Sequence, residues 1–288
     1  MKLSVIIPCL NAENTIGAQL DALRRQQWTE DWEVIIADNG SVDATLSVIR
    51  EESRDLPCVQ VIDASERSGS AHARNTGALF ARGESLVFCD ADDEVGTGWL
   101  AAIGAALEHH EFVASRLDID KLNPPWIASR FRNPQGAGLQ KIAYPPYLCH
   151  AGGSGLGIKR TIHERVGGFD VSLPRLQDTD YCFRVQRLGF ALHFVAGAVV
   201  HVRYSSRPVS LFRQARLWAK YNELLYRRYG GGEHLAHAWV SYVQTWRDLI
   251  CCMPRAFHKE TRPAWMKTLG TQIGLLQGMI RFRVPPVR

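Results

Sequence analysis

Asp90-Ala91-Asp92 sets two carboxylates two residues apart, directly after the apolar run 85–89 (SLVFC). At that spacing both can turn toward one hard cation. Magnesium and manganese prefer oxygen ligands and bind through one or two carboxylates together with substrate phosphates. An ion held there would bridge diphosphate oxygens and neutralise charge on a departing nucleoside diphosphate. The same residues would also suit an acidic turn ahead of a helix near Thr97, and the spacing alone leaves both readings open.

Two further polar groups follow apolar runs, Pro8-Cys9-Leu10-Asn11 and Asp38-Asn39-Gly40-Ser41. In a parallel α/β sheet, ligands bind beyond the carboxyl ends of the strands. Any one such loop is commonplace; three of them point to one binding edge.

The elements that must present these loops follow from the apolar pattern. Residues 3–9 (LSVIIPC) form a β-branched run that reads as a buried strand, and 33–37, 59–62 and 85–89 read likewise. Helical spacing covers 14–26, a helix capped by Ser41 is expected to run to about residue 50, and 70–81 is an Ala-rich helix. Short apolar strands alternating with helices predict an α/β fold with a mostly parallel central sheet covered on both faces. Residues 120–150 hold five of the thirteen prolines and read as a long, partly ordered loop. A helix over 162–166 ends at Gly167-Gly168, another spans 178–188, and 191–200 is a strand. Beyond Val209 the pattern is helical almost to the end.

With 288 residues, 46% of them hydrophobic and 22% charged, the chain can bury a substantial core. Its charge is uneven: residues 203–288 carry 15 Lys/Arg against 4 Asp/Glu, a balance of +11, while the first 202 carry −6. Seven cysteines without a CxxC predict a reducing, cytoplasmic setting rather than a disulfide framework. The first residues leave no room for a signal peptide, and no uncharged stretch is long enough to span a bilayer.

Several blocks together resemble family 2 glycosyltransferases of GT-A fold. They are Ser4-Val5-Ile6-Ile7-Pro8-Cys9-Leu10-Asn11, Val34-Ile35-Ile36-Ala37-Asp38-Asn39-Gly40-Ser41-Val42-Asp43, Ala73-Arg74-Asn75-Thr76-Gly77 and Phe88-Cys89-Asp90-Ala91-Asp92-Asp93. Gly167-Gly168-Phe169-Asp170 and Gln177-Asp178-Thr179-Asp180 resemble the later blocks, so the likeness covers about residues 3–205. The resemblance implies a nucleotide-diphosphate sugar donor, UDP-linked in the first instance, and an inverting displacement with Mn²⁺ or Mg²⁺. Asp38 would bind the nucleotide base, with Pro8, Cys9, Leu10, Asn11, Asn39 and Arg74 lining the donor pocket beside Asp90 and Ala91. Asp90 and Asp92 would be the DxD pair, His201 would complete the metal shell, and Asp178 would be the general base. Gln177 would face the acceptor; apart from the resemblance, the glycine-rich segment holding Gly153 would let backbone approach the sugar or acceptor. Asp180 is expected to brace its helix rather than react.

Two positions depart from the family pattern. Gln177 stands where Glu usually precedes the catalytic Asp, which bears on the acceptor. Asp38-Asn39 replaces the common Asp-Asp, which leaves donor identity open. Gly152-Gly153-Ser154-Gly155-Leu156-Gly157 does not fit a dinucleotide loop. Gln214-Ala215-Arg216-Leu217-Trp218 is out of register with the QxxRW of processive synthases.

The expected organisation is a catalytic domain over residues 1–205 and a basic helical region over 206–288. Within the first, the nucleotide-sugar half covers about 1–95 and the acceptor half about 96–205. The acceptor is a glycan, a lipid-linked sugar or a small molecule. Two rivals remain at this point, a nucleotidyltransferase and a non-catalytic nucleotide-sugar-binding protein on a related fold. Trp218, Trp239, Trp246 and Trp265 along the basic tail suit either peripheral contact with a membrane or packing onto the domain. Nucleic acid is not an expected partner.

Overall fold

The computed structural model describes residues 1–56, 58–142, 144–230 and 236–287. The chain divides into two compact units, one of residues 1–140 and 149–203, the other of 141–148 and 204–288.

The first unit is built on an eight-stranded sheet of order β3-β2-β1-β4-β9-β6-β10-β5. Its strands are β1 (Leu3–Cys9), β2 (Trp32–Asp38), β3 (Val59–Asp63), β4 (Ser85–Phe88), β5 (Glu94–Val95), β6 (Phe112–Asp118), β9 (Leu156–Lys159) and β10 (His193–His201). The two-residue strands β7 (Gln140–Lys141) and β8 (Cys149–His150) stand outside it. The helices are α1 (Ile16–Arg24), α2 (Thr45–Glu52), α3 (Ser70–Phe80), α4 (Trp99–His109), α5 (Pro125–Arg130), α6 (Arg160–Val166) and α7 (Gln177–Arg187).

The expected alternation is realised at β1, β2, β3 and β4, which pair in parallel. β2 is buried at every position, the pattern of a strand covered on both faces. The other half is mixed. β6 and β10 are parallel, whereas β9 runs antiparallel between β4 and β6, and β5 runs antiparallel along β10. Two polar residues inside the apolar strands are satisfied. Ser4 Oγ donates to Glu33 Oε1 at 2.6 Å, and Arg82 donates to the same carboxylate through its N–H (2.7 Å) and Nε (2.9 Å). A buried carboxylate is tolerated when it is paired and hydrogen-bonded in this way.

One capping expectation is corrected. α2 begins at Thr45 behind Ala44, not behind Ser41. The Ser41 hydroxyl donates instead to Asp38 Oδ1, and the helix cap falls three residues later at Ala44. The 120–150 stretch holds α5, β7 and β8, so it is more ordered than its prolines suggest.

Register places the polar loops together. Cys9 pairs with Asp38 across β1 and β2, Asn39 N donates to Cys9 O at 2.8 Å, and Cys89 N donates to Ile6 O at 3.0 Å. Helix α3 lies tight on this edge. A Cβ at Gly77 would meet Ile6 Cγ2 at 2.7 Å, so glycine lets the helix approach the strands. Arg74 lies about one turn earlier on the same helix and is 3% exposed.

In the second unit, α8 (Pro208–Tyr229), α9 (Ala236–Cys251) and α10 (Arg262–Phe282) supply the helices expected after Val209. α10 packs along α8 through Gly270, Gly274 and Gly278, where an added Cβ would collide with the Phe212 and Arg216 carbonyls and with Glu223. Tyr144 stands edge-on to Tyr226 at 5.3 Å and donates to Asn222 Oδ1 at 2.8 Å. Among the described residues no helix is long and apolar enough to cross a membrane.

Candidate active site

The loop after β4 turns Asp90, Asp92 and Asp93 so that one ligand oxygen from each lies within 4.8 Å of the others. The backbone sets this geometry. Asp90 N donates to Ser154 Oγ at 3.2 Å, Gln19 Nε2 donates to the Asp90 carbonyl at 3.4 Å, and Asp93 N returns to it at 3.4 Å. Asp93 is buried and accepts Arg203 N at 3.0 Å, while Arg203 Nε donates to the Asp92 carbonyl at 3.2 Å. Enclosure by the surrounding loops, and next the Asp90 charge, push Asp92 up to about 6, although its side chain keeps an open edge to solvent. Burial, then Asp90 and Asp92, push Asp93 well above the usual carboxylate range. Three crowded oxygen donors fit a hard divalent cation, which would relieve their mutual repulsion.

Arg74 links this cluster to the rest of the site. Its Nη2 pairs with Asp90 Oδ1, and its guanidinium lies 5.4 Å from the Phe169 ring centroid. Its Nε and Nη1 are buried and have no hydrogen-bond partner among the described residues. A buried guanidinium with free donors is suited to an anion. Gly153 makes room for it, since a Cβ there would stand 2.7 Å from Nη2 and 2.9 Å from Cζ. Gly153 N in turn donates to Asp178 Oδ2 at 3.1 Å, and Thr179 N donates to Asp178 Oδ1 at 2.8 Å. Asp178 lies in the first turn of α7, whose preceding residue Leu176 adopts φ 62°. Each carboxylate oxygen retains a lone pair for a third partner.

The loops after β1 and β2 are laced together. Asn11, at φ 50°, accepts Val42 N at 2.9 Å, and its own N donates to Ser41 Oγ at 2.9 Å. Pro8 and Cys9 continue the sheet edge, and Leu10 is half exposed. Asp38 is buried and accepts Ser41 N and Oγ. Asn39 works elsewhere. Its Nδ2 donates to the Ala64 and Arg67 carbonyls and its Oδ1 accepts Gly69 N at 2.7 Å, which clamps the loop leading into α3.

The remaining candidates lie at the margins. His201 ends β10 with Nδ1 2.6 Å from Asp118 Oδ2, and it is not among the three residues of the acidic cluster. A carboxylate on one ring nitrogen is how metal-binding histidines are commonly oriented, with the other nitrogen directed outward. Gln177 is buried, and its Nε2 donates to Ser70 Oγ at 3.1 Å, across from α7 to the start of α3. Ala91 is buried between the two acidic neighbours. Asp180 accepts Arg184 Nε at 2.7 Å and braces its own helix.

Sequence reasoning missed Ser154, Arg203, Gln19 and Asn75. Asn75 holds both the N–H (2.8 Å) and the carbonyl (2.9 Å) of Phe169 and so ties α3 to the loop before α7. Asn75 lay within a quoted block, and Ser154 within the glycine-rich one. Nothing local marked Gln19 or Arg203, which act across 71 and 110 residues of chain.

The family model for glycosyl transferase family 2 matches residues 4–167. An uncharacterized glycosyltransferase of Bacillus subtilis is 41% identical over 92 residues, 32% of this chain and 23% of that protein. A UDP-Glc:alpha-D-GlcNAc-diphosphoundecaprenol beta-1,3-glucosyltransferase of Escherichia coli is 28% identical over 184 residues, 62% of this chain and 66% of that one. The chain thus spans only about a quarter to a third of the length of some curated relatives it matches. Among solved structures, a Pyrobaculum calidifontis mannosyltransferase in complex with GDP-Man and Mn²⁺ superposes with a TM-score of 0.66 at 20% identity, covering 96% of this chain and 87% of that one. S. aureus TarS 1-349 in complex with UDP gives 0.57 at 17% identity, covering 98% and 91%. These likenesses establish the GT-A fold. With the family model matching more than half of its length, the chain belongs to glycosyl transferase family 2.

Proposed function

We propose that this chain is an inverting glycosyltransferase that moves a hexosyl group from a nucleotide-diphosphate sugar, UDP-linked in the first instance, to an acceptor hydroxyl. One juxtaposition carries the reading. Arg74 pairs with Asp90 on one side and lies against Gly153 on the other, and Gly153 N donates to Asp178. Acidic cluster, buried cation and candidate base are therefore neighbours, which supports reading them as one site.

In this reading Asp38 and the Pro8–Asn11 turn receive the nucleotide within the half formed by about residues 1–95, and Arg74 meets the diphosphate with its unpartnered Nε and Nη1. Asp90 and Asp92 would hold Mn²⁺ or Mg²⁺, with His201 as a further ligand; when bound, such an ion neutralises the diphosphate charge. Asp178 takes the proton of the acceptor hydroxyl as its oxygen attacks the anomeric carbon from the face opposite the diphosphate. The bond from that carbon to the diphosphate oxygen breaks in the same displacement, and the nucleoside diphosphate leaves with its charge met by Arg74. Gly153 and Gln177 lie on the acceptor side. A lipid-linked acceptor at the cytoplasmic face of a membrane is the acceptor class this reading favours, in keeping with the relative named for a diphosphoundecaprenol substrate.

The test is turnover of a panel of UDP- and GDP-sugars with simple glycosides and lipid-linked sugars, scored for nucleoside diphosphate release and product. Transfer from at least one donor, with inversion at the anomeric carbon and loss in Asp178→Asn, supports the reading. Product with retained configuration, or turnover indifferent to Asp178, overturns it.

A further inference from the structure

Helix α9 carries one apolar face wider than the part it buries. Tyr242 and Leu249 are buried, and Trp265 Nε1 donates to the Leu249 carbonyl at 3.2 Å, which fixes that face inside the second unit. Trp239, Val243 and Ile250 recur at i, i+4 and i+11, about a quarter-turn round the helix from that face, and are 49%, 62% and 64% exposed. Exposed Gln244, Arg247 and Asp248 continue round the helix beyond them. Val240 flanks them, and just beyond the helix Met253 and Phe257 stand 49% and 76% exposed. A soluble helix that packs one apolar face ordinarily turns a polar one to water. Here the apolar face extends past its buried part into solvent before the polar side begins, and apolar patches of this kind mark interaction surfaces.

The charges around the stripe name the partner. Arg247 borders it, and exposed Arg255, His258, Lys259 and Arg262 follow it. The acidic residues in this stretch are Asp248, 3.6 Å from Arg247, and Glu260. The surrounding segment 203–288 balances at +11. Aromatic and aliphatic side chains rimmed by arginine and lysine suit a bilayer interface, where rings enter the headgroup layer and cations meet anionic lipid.

We infer that the Trp239–Val243–Ile250 face of α9, continued by Met253 and Phe257, is a peripheral docking surface for an anionic lipid bilayer. The surface stands independently of the sugar-transfer reading, since it lies wholly in the second unit.

Flotation with vesicles of phosphatidylglycerol and phosphatidylcholine, against phosphatidylcholine alone, tests it on the full chain. The wild-type chain floats with the anionic vesicles at low salt, and binding weakens roughly tenfold or more at moderate salt. Val243→Glu/Ile250→Glu abolishes flotation while the melting temperature and nucleoside diphosphate binding stay as in wild type, and Leu79→Ser, an exposed position on α3, leaves flotation unchanged. Should the double variant melt early, Trp239→Ser/Phe257→Ser is read in its place. Absence of flotation at low salt, or flotation equal in the face variants, overturns the inference. So does a concentration-dependent dimer broken by the same variants without vesicle binding, which would make a second copy the occupant. Nucleoside diphosphate binding is scored in parallel, so failure here is distinguishable from failure of the transferase reading.

Discussion

Arg74 and Asp90 form an ion pair in which the guanidinium is almost fully buried and two of its three nitrogens find no partner among the described residues. A buried charge paired on one side only is expensive unless a ligand bound in function meets its remaining donors. Anion binding is the use this arrangement offers.

Replacing the guanidinium should therefore act on donor binding first. Arg74→Met removes charge-assisted hydrogen bonds of about 1.5–3 kcal/mol, so affinity for a nucleoside diphosphate should fall roughly 10–100-fold by calorimetry. Arg74→Lys should recover only part of it, because the ammonium lacks the fork. Unchanged affinity in both variants contradicts the role.

Gly153→Ala tests the same cation from the other side. Gly153 is not among the residues with positive φ, so alanine is acceptable to the backbone, yet its Cβ would overlap Arg74. Donor affinity should drop by about tenfold or more while the thermal midpoint moves little. A large loss of stability with normal donor affinity would assign Gly153 to folding alone.

Asn39→Asp asks why this chain departs from the paired acids of its family. The carboxylate would face two carbonyl oxygens that Asn39 Nδ2 now bonds, so urea titration should show a loss of about 1–3 kcal/mol. Equal stability would leave the clamp without energetic weight.

This residue also shows what the sequence revealed and what it did not. The strand ends carrying Cys9, Asp38 and Asp90 were legible because buried parallel strands are written as continuous apolar runs, and their chemistry follows directly behind them. Asn39 was legible as a site residue but not as a clamp, since its partners at Ala64, Arg67 and Gly69 are supplied by a distant loop. β6 and β9 went unread for a related reason. The polar Ser115 and Arg116 interrupt the first, and the second is a four-residue strand behind three glycines, ordered by its neighbours rather than by its own pattern.

Buried Glu223 should make the stability of the second unit depend on pH. Burial pushes it up to about 8, against 4.5 for an unburied glutamate, and Val287 N donates to it at 2.9 Å. The folded state thus favours the protonated form. That contribution is complete below pH 4.5 and is lost as pH rises through about 8. Glu223→Gln keeps an acceptor for Val287 and removes the ionisation, so its melting temperature should exceed wild type by several degrees at pH 9 and approach it at pH 5. Parallel melting curves across that range would contradict the assignment.

The most direct measurement is calorimetric titration of UDP and GDP into the wild-type chain and Asp92→Asn, each with Mn²⁺ and with excess chelator. The account predicts that wild type binds at least one of them with metal, that chelation weakens this strongly, and that Asp92→Asn with metal binds no better than chelated wild type. Full binding in excess chelator, or Asp92→Asn responding to Mn²⁺ as wild type does, would contradict it.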